Sequence, residues 1–309
     1  MVCQDLLYNG AAQTPDAVAL HWIDRDRKLT YRQAVAEMER VAGALAALGV
    51  GHGDRVGILA HNGMDYLMAM FGAWRLGAVA APVDLQWADA LDHYINDASP
   101  KVLIYTHDKY EAIHRCRPLM PTVEHYICMD GAQPGALDWG KLLADAPAPP
   151  PDPTRSSDPA YLWYEPASTA SPDKSTLTQA AALSAAENLA QQLQLDRTDA
   201  TLGPTPLSHA YHLVANLLPG LSCGATVGVM GRWQPDSGWQ ALEALGVTVL
   251  VATPTHIQHV VDVSRAKGHS PARLRVALSS QAPLPSALKS SWQDELGRVK
   301  LVEMMTFLR

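Results

Sequence analysis

The sequence predicts an α/β protein made of two doubly wound subdomains, and three observations carry that expectation. Short apolar runs alternate with stretches of helical periodicity along most of the chain. Those runs are apolar nearly throughout, as in parallel strands covered on both faces. A proline-rich stretch interrupts the alternation near the middle, setting expected divisions at 1–143, 144–159 and 160–309.

In the first part, Thr30 and Gln33 have capping-box spacing. Val35, Met38, Val41, Leu45 and Leu48 follow at helical intervals and Gly49 supplies a stop, which defines an amphipathic helix with both ends marked. Strand-like RVGILA (55–60), helical YLMAMFGAWRLG (66–77), and strand-like AVAAPVD (78–84), KVLIYT (101–106) and HYICMD (125–130) come next. From 144 to 159, prolines at 147, 149, 150, 151 and 153 exclude a helix or central strand, so an extended linker is expected. Beyond it the pattern predicts helices at 180–194, 238–246 and 255–267. Strands are expected at 224–230, 247–254, 274–280 and 300–305.

Composition narrows the function. The 309 residues are 48% hydrophobic and 18% charged, the balance of a globular protein able to bury a core. With a net charge of −7, a pI near 5.9 and scattered basic residues, there is no stripe to attract nucleic acid or an anionic bilayer. The opening MVCQDLLYNGAAQTPD has neither a basic nor an apolar leader region, and no apolar run reaches about 18 residues. The expectation is a cytoplasmic protein without a membrane span. Cys3, Cys116, Cys128 and Cys223 form no C-x-x-C pair and read as reduced structural thiols. H-x-x-H occurs at His209/His212 and His256/His259, but two imidazoles without a third ligand are not a zinc signature, and no metal ligand is assigned.

The segments TPDAVAL, KLTYRQAVAEMERVAGALAALGVGHGDRVGILAHN, GAWRLGAVAAPVD, PLSHAYHL, PGLSCGATVGVM, VTVLVATPT and LRVALSSQAPLP together resemble the amino-terminal domain of the adenylate-forming (ANL) superfamily. That family comprises acyl- and aryl-CoA synthetases, peptide-synthetase adenylation domains and luciferases, and the chain is most similar to the fatty-acyl-CoA synthetase branch. The resemblance implies two α/β subdomains of that domain, and an expectation that the family's later barrel subdomain and mobile carboxy-terminal domain are lacking. It also implies ATP with magnesium, CoA, and an acyl or aryl acid as ligands of an active member.

The same resemblance exposes departures. The family's phosphate loop, approximately Y-T-S-G-T-T-G-x-P-K-G, falls on Tyr164 to Lys174. Tyr164, Ser168, Thr169 and Pro172 agree, whereas Ala167 and Ala170 replace glycines and Asp173 replaces the lysine. Alanine resists the close backbone approach and positive φ that a phosphate cradle uses. Exchanging lysine for aspartate turns an attraction of about 4 kcal/mol, at 4 Å and an effective dielectric of 20, into a repulsion of similar size. A one-residue slip would bring Lys174 to the phosphates instead. In the family's Y-G-x-T-E segment, Thr306 is retained, Glu303 stands for the tyrosine, and Phe307 occupies the magnesium ligand's position. His209 matches a residue bordering the acyl pocket, and Ala282 and Pro283 match its G-G-A-P turn, in which Ser280 and Gln281 replace the glycines.

Three functions follow as expectations. One is a protein that has lost ATP-dependent adenylation, has no assigned catalytic residue, and acts as a non-catalytic acyl-binding or interaction module. A second is an acyl-CoA ligase completed by a separate chain, and a third a pocket reused for another acyl reaction. A homodimer or hetero-complex is also expected, because an apolar strand near the end of the sequence needs cover.

Overall fold

The computed structural model describes residues 1–165, 173–280 and 282–304, without the side chains of residues 87–89, 165 and 173. The chain opens with α1 (Asp5–Gln13) and a hairpin, β1 (Val18–Trp22) and β2 (Arg27–Thr30), which the periodicity does not mark. Then come α2 (Tyr31–Ala47), β3 (Arg55–Leu59), α3 (Met64–Arg75), β4 (Val79–Pro82), α4 (Leu91–Ala98) and β5 (Val102–Tyr105). The first half closes with α5 (Tyr110–Cys116), β6 (His125–Cys128), β7 (Leu137–Asp138) and α6 (Trp139–Ala144). The second half begins with β8 (Pro159–Glu165), β9 (Asp173–Thr178), α7 (Gln179–Leu193) and β10 (Ala200–Gly203). After these lie α8 (Ala210–His212), a π-helical turn (Leu213–Leu217), α9 (Leu218–Ser222) and β11 (Thr226–Val229). The last elements are α10 (Pro235–Ala244), β12 (Val249–Ala252), α11 (Pro254–Lys267), β13 (Val276–Ser279), α12 (Ser286–Leu296) and β14 (Lys300–Glu303).

The marked helix forms as its sequence requires. In α2 the Gln33 amide donates to Thr30 Oγ1 and the Thr30 amide to Gln33 Oε1, closing the capping box. Met38, Val41 and Leu45 are fully buried, and Gly49 takes φ +79° after the last turn.

Two seven-stranded sheets result, ordered β14-β13-β12-β10-β11-β1-β2 and β7-β6-β5-β3-β4-β8-β9. All pairings are parallel except β1 with β2 and β8 with β9. The proline-rich stretch therefore does not separate the sheets, in contrast to the division expected from composition. β1 pairs with β11 from the second half, and β8 pairs with β4 from the first. Proline marks where the chain leaves regular structure, whereas partner choice belongs to long-range packing. Residues 145–158 hold no helix or strand and run along the helices. Thr154 Oγ1 donates to Trp74 O at 2.7 Å, and a Cβ on Gly43 would meet Pro147 O at 1.8 Å.

One apolar cluster joins the two sheets through these helices, with Leu20, Met38, Phe71, Trp74, Tyr161, Leu183 and Val227 among its members. α2 touches β1 and β2 while α3 touches β3, β4 and β1, so this helix pair is the layer between the sheets. No described helix is long and apolar enough to cross a membrane.

Candidate functional site

In doubly wound sheets, ligands bind beyond the carboxyl ends of the strands. Here loop 204–209, leaving β10, is bolted to the carboxyl ends of the other sheet. Asn62, just past β3, accepts from the Leu207 amide at 2.7 Å and donates to Thr205 O at 2.9 Å and Met230 O at 3.0 Å. The Tyr161 hydroxyl donates to Leu207 O. Asp84, just past β4, accepts from Ser208 Oγ at 3.1 Å and has His209 Nε2 at 3.5 Å. The Asp84 side chain is 13% exposed and that of His209 28%, so a largely desolvated carboxylate backs an imidazole at the crevice.

Behind this loop lies His212, which is fully buried. Burial pushes its imidazole down to about 4, so the ring is neutral. Its Nδ1 donates to Thr205 O at 2.8 Å, and its Nε2 accepts from Asn216 Nδ2 at 3.3 Å. His212 and Asn216 are one turn apart where the helix widens to π spacing. Gly203 is required beside them, since a Cβ there would lie 2.8 Å from Asn216 Cγ. The two H-x-x-H pairs thus diverge. His209 meets Asp84 and His212 the core, while His256 caps Thr253 and His259 accepts from Trp233 Nε1. Among the described residues no three of His, Cys, Asp and Glu come together as a metal site.

The other expected site residues are only partly gathered. Ala167, Ser168, Thr169, Ala170, Pro172, Gln281, Thr306 and Phe307 lie outside the described residues. Asp173 begins β9, opposite Glu165. Tyr164 is buried and donates to Asp97 Oδ2 at 2.6 Å, and Lys174 Nζ sits 3.0 Å from the same oxygen. Tyr164 first, and then Lys174, hold the Asp97 carboxyl below the usual carboxylate range against the opposing effect of burial. Ser280 is buried against Tyr211, whereas Ala282 and Pro283 face solvent. Glu303, expected at the tyrosine's position, pairs with Lys289 Nζ at 2.6 Å and accepts from the Leu284 amide at 2.9 Å.

Asn62, Asp84 and Asp97 escape the sequence reading, which singles out His212 only as half of an H-x-x-H pair. The only local hint is a polar residue just past an apolar strand, at Asn62 and Asp84. A cavity of about 420 Å³ between Gln13, Gln194, Arg197 and Cys223 lies at the amino ends of β10 and β11, away from this crevice.

Residues 7–305 match the AMP-binding enzyme family. A feruloyl-CoA synthase of Amycolatopsis sp is 29% identical over 267 residues, covering 86% of this chain and 52% of the relative. The 4-coumarate–CoA ligase 2 of Oryza sativa subsp. japonica is 29% identical over 307 aligned residues, covering 93% and 53%. The chain therefore spans about half the length of these curated relatives. Among solved structures, the anthranilate CoA ligase AuaEII in complex with anthranoyl-AMP superposes with a TM-score of 0.91 at 22% identity, over 99% of this chain and 60% of that one. The N-terminal domain of FACL13 from Mycobacterium tuberculosis gives 0.89 at 23% identity, over 98% and 75%. These two neighbours share the fold. The match across 7–305 and the two-sheet architecture agree, and the chain belongs to the AMP-binding enzyme family.

Proposed function

We propose that this chain forms the acid-binding part of an ATP-dependent acyl- or aryl-CoA ligase. In that reaction a carboxylate oxygen attacks the α-phosphorus of ATP and releases pyrophosphate, and the thiol of CoA then displaces AMP from the acyl group. The observation that carries the reading is the family match over residues 7–305, in a chain whose relatives bear CoA ligase names. His209, held against Asp84 at the crevice, is positioned to orient the acid through its imidazole. The chain spans about half the length of these relatives.

A second reading, an acyl-binding protein without adenylation, is favoured by Ala167, Ala170 and Asp173 in the phosphate-loop segment and by the capture of Lys174 by Asp97. Two measurements separate the readings. The protein is titrated calorimetrically with a non-hydrolysable feruloyl-sulfamoyl adenosine, and pyrophosphate release is followed with ATP, magnesium and a panel of aryl and fatty acids. Binding and acid-dependent pyrophosphate release, both weakened in His209→Ala, are expected. Binding of free acids with no response to the adenylate or to ATP would replace the ligase reading with the second one.

A further inference from the structure

Three elements converge on Asp97. It sits in the last turn of α4, where the helix dipole disfavours a carboxylate, so its placement calls for a tertiary partner. Tyr164 on β8 and Lys174 on β9 stand directly opposite each other in the antiparallel register and therefore share one face of the hairpin. Both reach the same oxygen, Asp97 Oδ2, at 2.6 Å and 3.0 Å. Lys174 Nζ is also 3.4 Å from Asp97 O, a carbonyl at the open end of the helix. The Tyr164 hydroxyl lies 3.3 Å from Tyr94 O, and the two tyrosine rings meet edge to face at 5.1 Å. Beneath them Val79, Ala81, Ala98, Leu162 and Tyr164 form a small apolar cluster. Among the described residues β9 is the edge strand of its sheet and pairs with β8 alone, so α4 supplies the hold that a second neighbouring strand would give.

We propose that Asp97 and Lys174 are positioning residues, which latch the β8–β9 hairpin to α4 and so fix the two strand ends joined by the phosphate-loop segment. Lys174 works as the cationic half of this latch and is not a ligand of the nucleotide's phosphates. The effect on nucleotide binding rests on the ligase reading, but the latch itself does not. The two roles for Lys174 predict opposite signs for one substitution. If the lysine gripped phosphate, removing the charge of Asp97 would free it and tighten ATP binding. If it is a latch, the same change loosens the hairpin and weakens binding.

The test uses Asp97→Asn, Lys174→Met, the double variant and Lys174→Arg, with two readouts. Amide hydrogen exchange across residues 160–164 and 174–178 is expected to quicken by about two- to fivefold in each single variant, the scale of a half-exposed ion pair. The double variant should exchange no faster than the singles, because both changes remove one shared interaction, and Lys174→Arg should restore protection. Calorimetric affinity for feruloyl-sulfamoyl adenosine and for ATP should fall by a similar factor in Asp97→Asn and Lys174→Met. Unchanged exchange in both single variants would overturn the latch. Tighter ATP binding in Asp97→Asn, with binding abolished in Lys174→Met, would overturn the assignment of Lys174 and make it a phosphate ligand. If no form bound either nucleotide, the ligase reading would fall, and exchange would still decide the latch.

Discussion

Asn62 and Leu207, 145 residues apart, are joined by a 2.7 Å hydrogen bond from the Leu207 amide to the Asn62 carboxamide oxygen. The same carboxamide spends both donors on Thr205 O and Met230 O, so one side chain closes one sheet's carboxyl end against the other's. Replacing it by alanine takes this partner from the Leu207 amide and Met230 O, while Thr205 O keeps its bond from His212 Nδ1. Asn62→Ala should lower unfolding stability by about 3 kcal/mol, read from the shift of the urea midpoint at unchanged slope. A loss under about 1 kcal/mol would mean that water replaces the clamp.

Gly43 marks where helix α2 accepts the proline-rich crossing. A glycine-to-alanine change inside a helix ordinarily stabilises by about 1 kcal/mol. Here the added Cβ would stand 1.8 Å from Pro147 O, against backbone that must move. Gly43→Ala is expected to cost about 1–3 kcal/mol and to open residues 147–153 to limited proteolysis, whereas a rise in melting temperature would refute the contact.

The buried imidazole of His212 makes stability depend on pH. Its folded value is pushed down to about 4, below the unfolded value of about 6.5, so between those limits the unfolded chain binds more protons. Stability is thus complete above about pH 6.5 and is lost as pH falls towards 4, at a slope approaching about 1.4 kcal/mol per pH unit. His256, pushed down to about 4 by burial and by the nearby His259, adds to the slope in the same window. Denaturation at pH 7, 6 and 5 should show the fall, with His256→Gln flattening part of it. A profile level from pH 7 to 5 would contradict buried neutral rings.

Asp199 and Arg275 offer a control at the far end of the strands. Arg275 reaches both carboxylate oxygens, at 3.0 Å and 2.7 Å, while Thr248 Oγ1 donates at 2.6 Å and the Asp196 amide at 3.0 Å. Burial pushes the Asp199 carboxyl up, but these partners outweigh it and hold it below the usual carboxylate range. Asp199→Ala should destabilise by about 1–3 kcal/mol by removing a buried acceptor from Thr248 Oγ1, the Asp196 amide and Arg275, whose partly exposed guanidinium keeps Leu193 O and Gln194 O. Affinity for feruloyl-sulfamoyl adenosine at low temperature should remain within twofold, since the cluster lies at the amino ends of β10, β12 and β13. A larger drop in affinity would link that end of the sheet to the crevice.

The sequence by itself determined what neighbours along the chain decide. The capping box of Thr30 and Gln33, the apolar stripe of α2, strands β3 to β6 and β11 to β14, and the irregular crossing at 145–158 are all written within a few residues of where they act, whereas β7 to β10 are not marked. The family resemblance was legible for the same reason, as a series of local motifs. Tyr164, Lys174 and His209 stood out as positions, but their partners did not. Asp97 lies 77 residues from Lys174, and Asp84 lies 124 from Ser208. Only the tertiary structure decided that the first hairpin joins the second half's sheet, that β8 and β9 close the first half's, and that Lys174 turns to a helix end. Strand pairing and charge pairing across such separations depend on which surfaces pack together. Propensity and periodicity describe a segment's own conformation and contain no term for the partner it will meet.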